Sequence, residues 1–163
     1  MNCKSLPEII PLERFQGDYS RYQLFLYSIF LKEIKTGMVY QGLKITLRSH
    51  PKFEDKEDSF YHLTCKEDYG GITNDRVPDL RRCERLVWLR PTIMTDHILN
   101  CGDNCLKIYK KNKRIHLLND KDRYIVVLEP RKEYTLLVTA FYIEKDHTLS
   151  KKMKDYEKHK IEL

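Results

Sequence analysis

Apolar and polar positions separate most clearly between Arg123 and Ile143, in RYIVVLEPRKEYTLLVTAFYI. Two apolar runs, residues 124–128 and 134–143, flank the polar stretch Glu129-Pro130-Arg131-Lys132-Glu133. Val, Ile, Tyr, Thr and Phe dominate both runs, which predicts a β-hairpin with long, largely buried strands. Two shorter candidate strands precede it, residues 106–110 and 114–118. The links KNK, NDKD and EPRKE are short and polar. Parallel strands need long crossovers, so the four strands are expected to form an antiparallel meander.

Upstream, the period changes. Tyr22, Phe25, Leu26, Ile29, Phe30 and Ile34 recur at three- and four-residue spacing, predicting a core helix over residues 19–35. Asp18 can cap it and Gly37 can end it. Residues 1–16 read as an irregular lead-in with two prolines, and residues 43–47 as a short strand. Ser59-Phe60-Tyr61-His62-Leu63-Thr64 is too short for period to decide between strand and helix. A polar loop, KEDYGGITNDR, follows. Val77-Pro78 then reads as the start of a helix running through DLRRCERLVWL and stopping before Pro91. On that helix Leu80, Cys83, Glu84 and Val87 share one side. Arg81, Arg82 and Arg85 fall within an arc of roughly 100° beside it. Residues 92–104 read as a connecting segment. The chain closes on a charged amphipathic helix with Leu149, Met153 and Tyr156 facing inward. The expected fold class is α+β: N-terminal helices, a four-stranded antiparallel meander and a C-terminal helix. Residues 1–163 are expected to make one domain, with a helix and strand in 1–55 and the core in 56–163.

Composition narrows the classes. Apolar residues make up 41% and charged residues 33% of 163. A chain this long can bury about 70% of its unfolded surface without disulfide staples. Residues 1–104 carry 15 basic and 15 acidic side chains, and residues 105–163 carry 15 and 9, so the whole +6 excess lies with the hairpin. Localised positive charge suggests a polyanion, nucleic acid first; a lysine-rich solvated surface is the alternative. MNCKSLPEII has no apolar signal core. The most apolar window, residues 22–31, is far short of the roughly 20 residues that cross a bilayer. No membrane partner is therefore expected. Five cysteines at irregular spacing fit reduced thiols in a cytoplasm.

Among chemical motifs, GxGxxG, GxxxxGK[ST], HExxH and GxSxG are all missing from the sequence. His97, Cys101 and Cys105 form an H-x3-C-x3-C run of soft donors suited to zinc. A fourth ligand is not evident in the sequence, and Gly102-Asp103-Asn104 has turn composition, so neither metal nor cofactor is expected. His62 is more informative in the company of arginines. Arg82 and Arg85 lie with Arg81 on one helix, Arg114 and His116 share a strand face, and Arg131 sits at the hairpin tip. Thr139 places a hydroxyl among Val, Leu and Phe. Metal-free phosphodiester cleavage needs a group that titrates near neutrality, fixed cations against phosphorane charge, and a positioning donor. Histidine, arginine, and threonine or tyrosine supply those three. Generic nucleic-acid binding and an arginine-rich protein interface remain open alternatives.

The segments KEDSFYHL, PDLRRCERLVWLRPTI, KIYKKNKRIHLL, YIVVLEPRKEYTLLVTAFYI and HTLSKKMKDYE, taken in order, resemble a family of small phage- and prophage-associated bacterial proteins. That family is attributed to the barnase–EndoU–colicin–RelE group of metal-independent ribonucleases. The resemblance spans most of the chain from Lys56 onward. It implies a toxin-like cytoplasmic endoribonuclease that acts on RNA, yields a 2′,3′-cyclic phosphate and has a possible antitoxin or immunity partner. It also implies a site formed by His62, Arg82, Arg85, Arg114, Arg131, Thr139 and Tyr142. The chain departs from the pattern in the Phe141-Tyr142 pair and the polar CGDNC loop. A module of the same origin that binds nucleic acid or protein without catalysis is the alternative.

Overall fold

In the computed structural model, which describes residues 2–67 and 76–161, the hairpin lies inside a six-stranded sheet. The strands are β1 (Val39–Tyr40), β2 (Leu43–Thr46), β5 (Lys107–Lys111), β6 (Arg114–Asn119), β7 (Tyr124–Pro130) and β8 (Thr135–Tyr142). Their order is β1-β2-β8-β7-β6-β5. A second, two-stranded sheet pairs β3 (Cys65–Glu67) with β4 (Arg76–Pro78). The helices are α1 (Tyr19–Ile29), α2 (Asp58–Thr64), α3 (Leu80–Glu84), α4 (Leu89–Met94), α5 (His97–Cys101) and α6 (Asp146–His159). The fold is α+β. The four antiparallel strands of the meander are present, but they do not form the whole sheet. Ile45 and Thr46 of β2 pair in parallel with Thr135 and Leu136 of β8.

Local chemistry accounts for most of these elements. Asn112 and Lys113 both have positive φ, 52° and 66°, which closes β5–β6 with a two-residue turn that matches strand twist. Asp18 caps α1 by accepting from the Arg21 amide at 3.3 Å. The helix then widens into a π turn over Phe30–Ile34, where the Lys35 amide reaches the Phe30 carbonyl at 2.8 Å. That turn keeps Tyr22, Leu26, Phe30 and Ile34 all buried.

Apolar side chains on the two faces of the sheet form separate cores. Ile115, Leu117, Val126, Leu128, Leu137 and Ala140 join Phe60, Leu63, Trp88 and the inner face of α1. On the other face Tyr109, Leu118, Ile125, Val127 and Ile143 pack under Leu149, Met153 and Tyr156 of α6, the inward positions expected from its periodicity. A β-bulge between Val127 and Leu128 leaves Val138 as the extra residue on β8. Both Val138 and Phe141 then pack with the α6-side core.

The region from 58 to 94 departs most from expectation. The SFYHLT segment is helical, so His62 stands on α2. Arg76-Val77-Pro78 is a strand, not the first turn of a helix. The helix begins at Leu80, where Asp79 accepts from the Arg81 and Arg82 amides at 3.0 and 3.4 Å. It breaks at Arg85 (φ −108°, ψ 13°), passes through a 3-10 turn over Leu86–Trp88, and resumes as α4. Pro91 is inside α4, not beyond the helix: as its third residue, it stands where no intrahelical donor is required. The break removes the continuous triple-arginine face. Residues 92–104, expected as a connection, include α5, capped by Asp96 onto the Leu99 amide at 3.0 Å. Residues 68–75, most of the predicted KEDYGGITNDR loop, lie outside the described residues.

Candidate functional site

A groove of 250 Å³ opens where α2 meets β8. Its polar lining is Arg48, Ser59, His62, Arg114, Glu129 and Arg131, over an apolar floor that includes Leu63, Leu136 and Val138. Three residues expected from sequence, His62, Arg114 and Arg131, thus meet. They are 69 residues apart in the chain, and each arrives on a different element.

The placement has simple causes. The Arg48 carbonyl accepts from the Ser59 amide at 2.9 Å, tying the loop after β2 to the start of α2. Phe60, fully buried, packs its ring 5.2 Å from Tyr27 and 5.5 Å from Phe30, and this fixes α2 against α1. His62, two residues on, is left facing outward with its side chain 41% exposed. Arg114 opens β6 and Arg131 follows β7, so strand pairing sets both beside Glu129, the penultimate residue of β7. Glu129 holds Arg114 Nε at 3.4 Å and makes a close ion pair with Arg131.

The electrostatics follow from these contacts. Burial lowers the pKa of His62 from its ordinary value; the Asp58 carboxylate pulls it back, and Arg76, Arg48 and Arg82 push it down further. The net shift is downward, which favours the neutral ring. Its Nε2 lies 3.4 Å from Asp58 Oδ2, one helical turn earlier. Asp58 is buried and also pairs closely with Arg76. A carboxylate at that position favours hydrogen on Nε2 and leaves the Nδ1 lone pair free, the role an aspartate plays beside a catalytic histidine. For Glu129, burial opposes the charge, but Arg114 and Arg131 outweigh it and hold the carboxyl below the usual range. The buried Ser59 Oγ has no hydrogen-bond partner among the described residues.

The other expected residues divide. Arg82 supports the site from behind: its Nη1 donates to the His62 carbonyl at 2.9 Å, and its guanidinium lies 5.3 Å from the Phe141 ring. Arg85 is packed elsewhere. Its guanidinium stacks 4.0 Å from the Tyr142 ring and 5.1 Å from Trp88, and pairs with Glu84 at 3.1 Å. Neither Arg85 nor Tyr142 lines the groove. Thr139 pairs with Val127 beside the bulge and does not line it either. His116 stacks on Tyr109 at 4.5 Å; burial, and Lys152 after it, push its pKa down to about 4. Sequence reasoning missed Asp58, Ser59, Arg48 and Glu129. Asp58 alone left a signal, standing four residues before His62 on what proves to be a helix.

A second polar cluster lies away from the groove. Cys3, His97, Cys101 and Cys105 bring their donor atoms within 4.8 Å of one another.

Among the described residues no helix is long and apolar enough to cross a membrane. No family model, curated protein or solved structure matches the chain.

Proposed function

We propose that the groove is the active site of a metal-independent endoribonuclease, toxin-like in its chemistry, that cleaves RNA by internal transphosphorylation. The single observation carrying this reading is the convergence of His62, beside the Asp58 carboxylate, with Arg48, Arg114 and Arg131 in one groove. His62 Nδ1 takes the proton from the ribose 2′-hydroxyl. The 2′-oxygen attacks the adjacent phosphorus, the bond from phosphorus to the 5′-oxygen breaks, and the imidazolium returns its proton to the departing oxygen. The products are a 2′,3′-cyclic phosphate and a free 5′-hydroxyl, with no water or metal consumed.

The remaining groups act on charge and position. Arg114 and Arg131 face the developing phosphorane, and a forked guanidinium suits its equatorial oxygens. Glu129 keeps both arginines in place, and Arg48 adds a third cation to the groove lining. Arg82 positions α2 through the His62 carbonyl. The finer description of the fold as RelE- or barnase-like belongs to this reading. It is supported by the succession of helices, antiparallel meander and arginine-bearing hairpin turn.

Purified protein should cleave RNA in a chelator, His62→Ala should abolish cleavage, and Arg114→Ala should slow it about 100- to 1000-fold. Salt-sensitive RNA binding without turnover would replace this reading with a non-catalytic binding module. Co-purification with a protein partner and no RNA binding would replace it with an interaction domain.

A further inference from the structure

The cluster of Cys3, His97, Cys101 and Cys105 has no role in the groove chemistry. We propose that these four side chains form a closed, structural zinc site of Cys3His type. Cys101 and Cys105 alone resemble a turn with two incidental thiols. What changes their meaning is Cys3, which comes from 94 residues before His97 and completes the ligand set.

The spacing is that of a coordination tetrahedron. Zinc–sulfur bonds of about 2.3 Å and zinc–nitrogen bonds of about 2.0 Å imply ligand–ligand edges of roughly 3.8 Å between sulfurs and 3.5 Å between sulfur and nitrogen. Cys3 Sγ lies 3.8 Å from Cys101 Sγ and 3.4 Å from His97 Nδ1. A disulfide would bring two sulfurs to about 2.05 Å, and all five cysteines are free.

Each ligand is delivered by local structure. His97 and Cys101 stand four residues apart on α5 and so share one face. Gly102, at φ 76°, ends that helix in the left-handed region, and the chain turns back to bring Cys105 to the same point. The backbone amides of Asn2 and Cys3 both donate to the buried Asp122 carboxylate, at 2.7 and 2.8 Å, and this anchors the segment that presents Cys3.

The surroundings also fit a metal. His97 Nε2 lies 3.1 Å from the Thr92 carbonyl. A carbonyl can only accept, so hydrogen belongs on Nε2 and the Nδ1 lone pair is directed at the sulfurs. Metal-bound histidines are oriented in this way. Ser5 Oγ lies 3.1 Å from Cys101 Sγ, placed to donate to a thiolate. Three thiolates and one imidazole select zinc among common divalent ions. With four protein ligands no coordination position is left for substrate, so the ion would join the N-terminal segment to α5 and the approach to β5.

Elemental analysis of protein purified without chelator should find one zinc per chain. Replacing zinc by Co²⁺ should give the intense visible bands of tetrahedral cobalt together with thiolate-to-cobalt charge transfer. Cys3→Ser and Cys101→Ser should each lose most of the zinc, while Cys65→Ser, a buried cysteine outside the cluster, should retain it. Octahedral-type weak cobalt bands, metal-free wild type, full zinc in Cys3→Ser, or a disulfide among these cysteines would each overturn the proposal. The wild-type cobalt spectrum needs no variant, so a misfolded mutant cannot obscure the result.

Discussion

Replacing Arg114 by alanine separates catalytic from structural roles in the groove. Among the described residues its guanidinium makes one ion pair, to Glu129 at 3.4 Å, and its side chain is 47% exposed. Water screens a pair of that kind, and Glu129 keeps Arg131 as a partner. The melting temperature should therefore change little. The transition state is a different matter, because the phosphorane gathers charge against these guanidinium groups. Loss of one preorganised charge-stabilising group costs about 100- to 1000-fold in rate, or about 2.7–4 kcal/mol. Arg131→Ala should behave alike, since that residue is 50% exposed and shares Glu129. The double variant should lose less than the product of the single effects, because each arginine helps Glu129 hold the other. The assay is kcat/KM on a short RNA, paired with thermal unfolding of each variant. A loss of less than about tenfold in a variant that melts like the wild type would refute the role given to these arginines.

Other consequences follow from the same contacts. Because His62 titrates below its ordinary 6.5 and acts as the base, kcat/KM should be flat near neutrality and fall as pH drops through the depressed value. Arg48→Gln removes one cation that depresses it and should move that acid limb upward; an unmoved limb contradicts the assignment. Phe60→Ala should cost about 3–5 kcal/mol of stability, since the ring is fully buried among Tyr27, Phe30 and Tyr61, and this is measurable by denaturant unfolding. Arg85→Ala should lower stability through lost stacking on Tyr142 and Trp88 while cleavage per folded molecule is retained; a rate loss comparable to that of Arg114→Ala would place it in the chemistry. With zinc structural, RNA cleavage should survive the first minutes in EDTA and decline only as metal leaves and the protein unfolds; instantaneous loss would make the ion catalytic.

The meander was legible because alternation and short polar links are local properties, and the Asp18 cap and the inner face of α6 were legible for the same reason. The parallel pairing of β2 with β8 was not, since no local signal joins Ile45 to Thr135. Pro91 misled because proline ends a helix only beyond its first turn. For the groove, residue chemistry pointed to His62, Arg114 and Arg131, and folding brought them together. Glu129 read as a turn residue, yet it extends β7 and holds two arginines. Arg85 read as a site residue because an unbroken helix would have carried it beside Arg82; the break at Arg85 sends it to Tyr142 instead. Cys3, isolated near the start of the chain, could gain meaning only once Asp122 was seen to anchor it beside α5.

What the groove does to RNA is tested most directly by the chemistry of the ends produced when wild-type and His62→Ala protein are incubated with one defined RNA. The wild type should leave 2′,3′-cyclic phosphate and 5′-hydroxyl ends, and His62→Ala should leave the RNA intact. Intact RNA with both proteins, or equal cleavage by both, would contradict it.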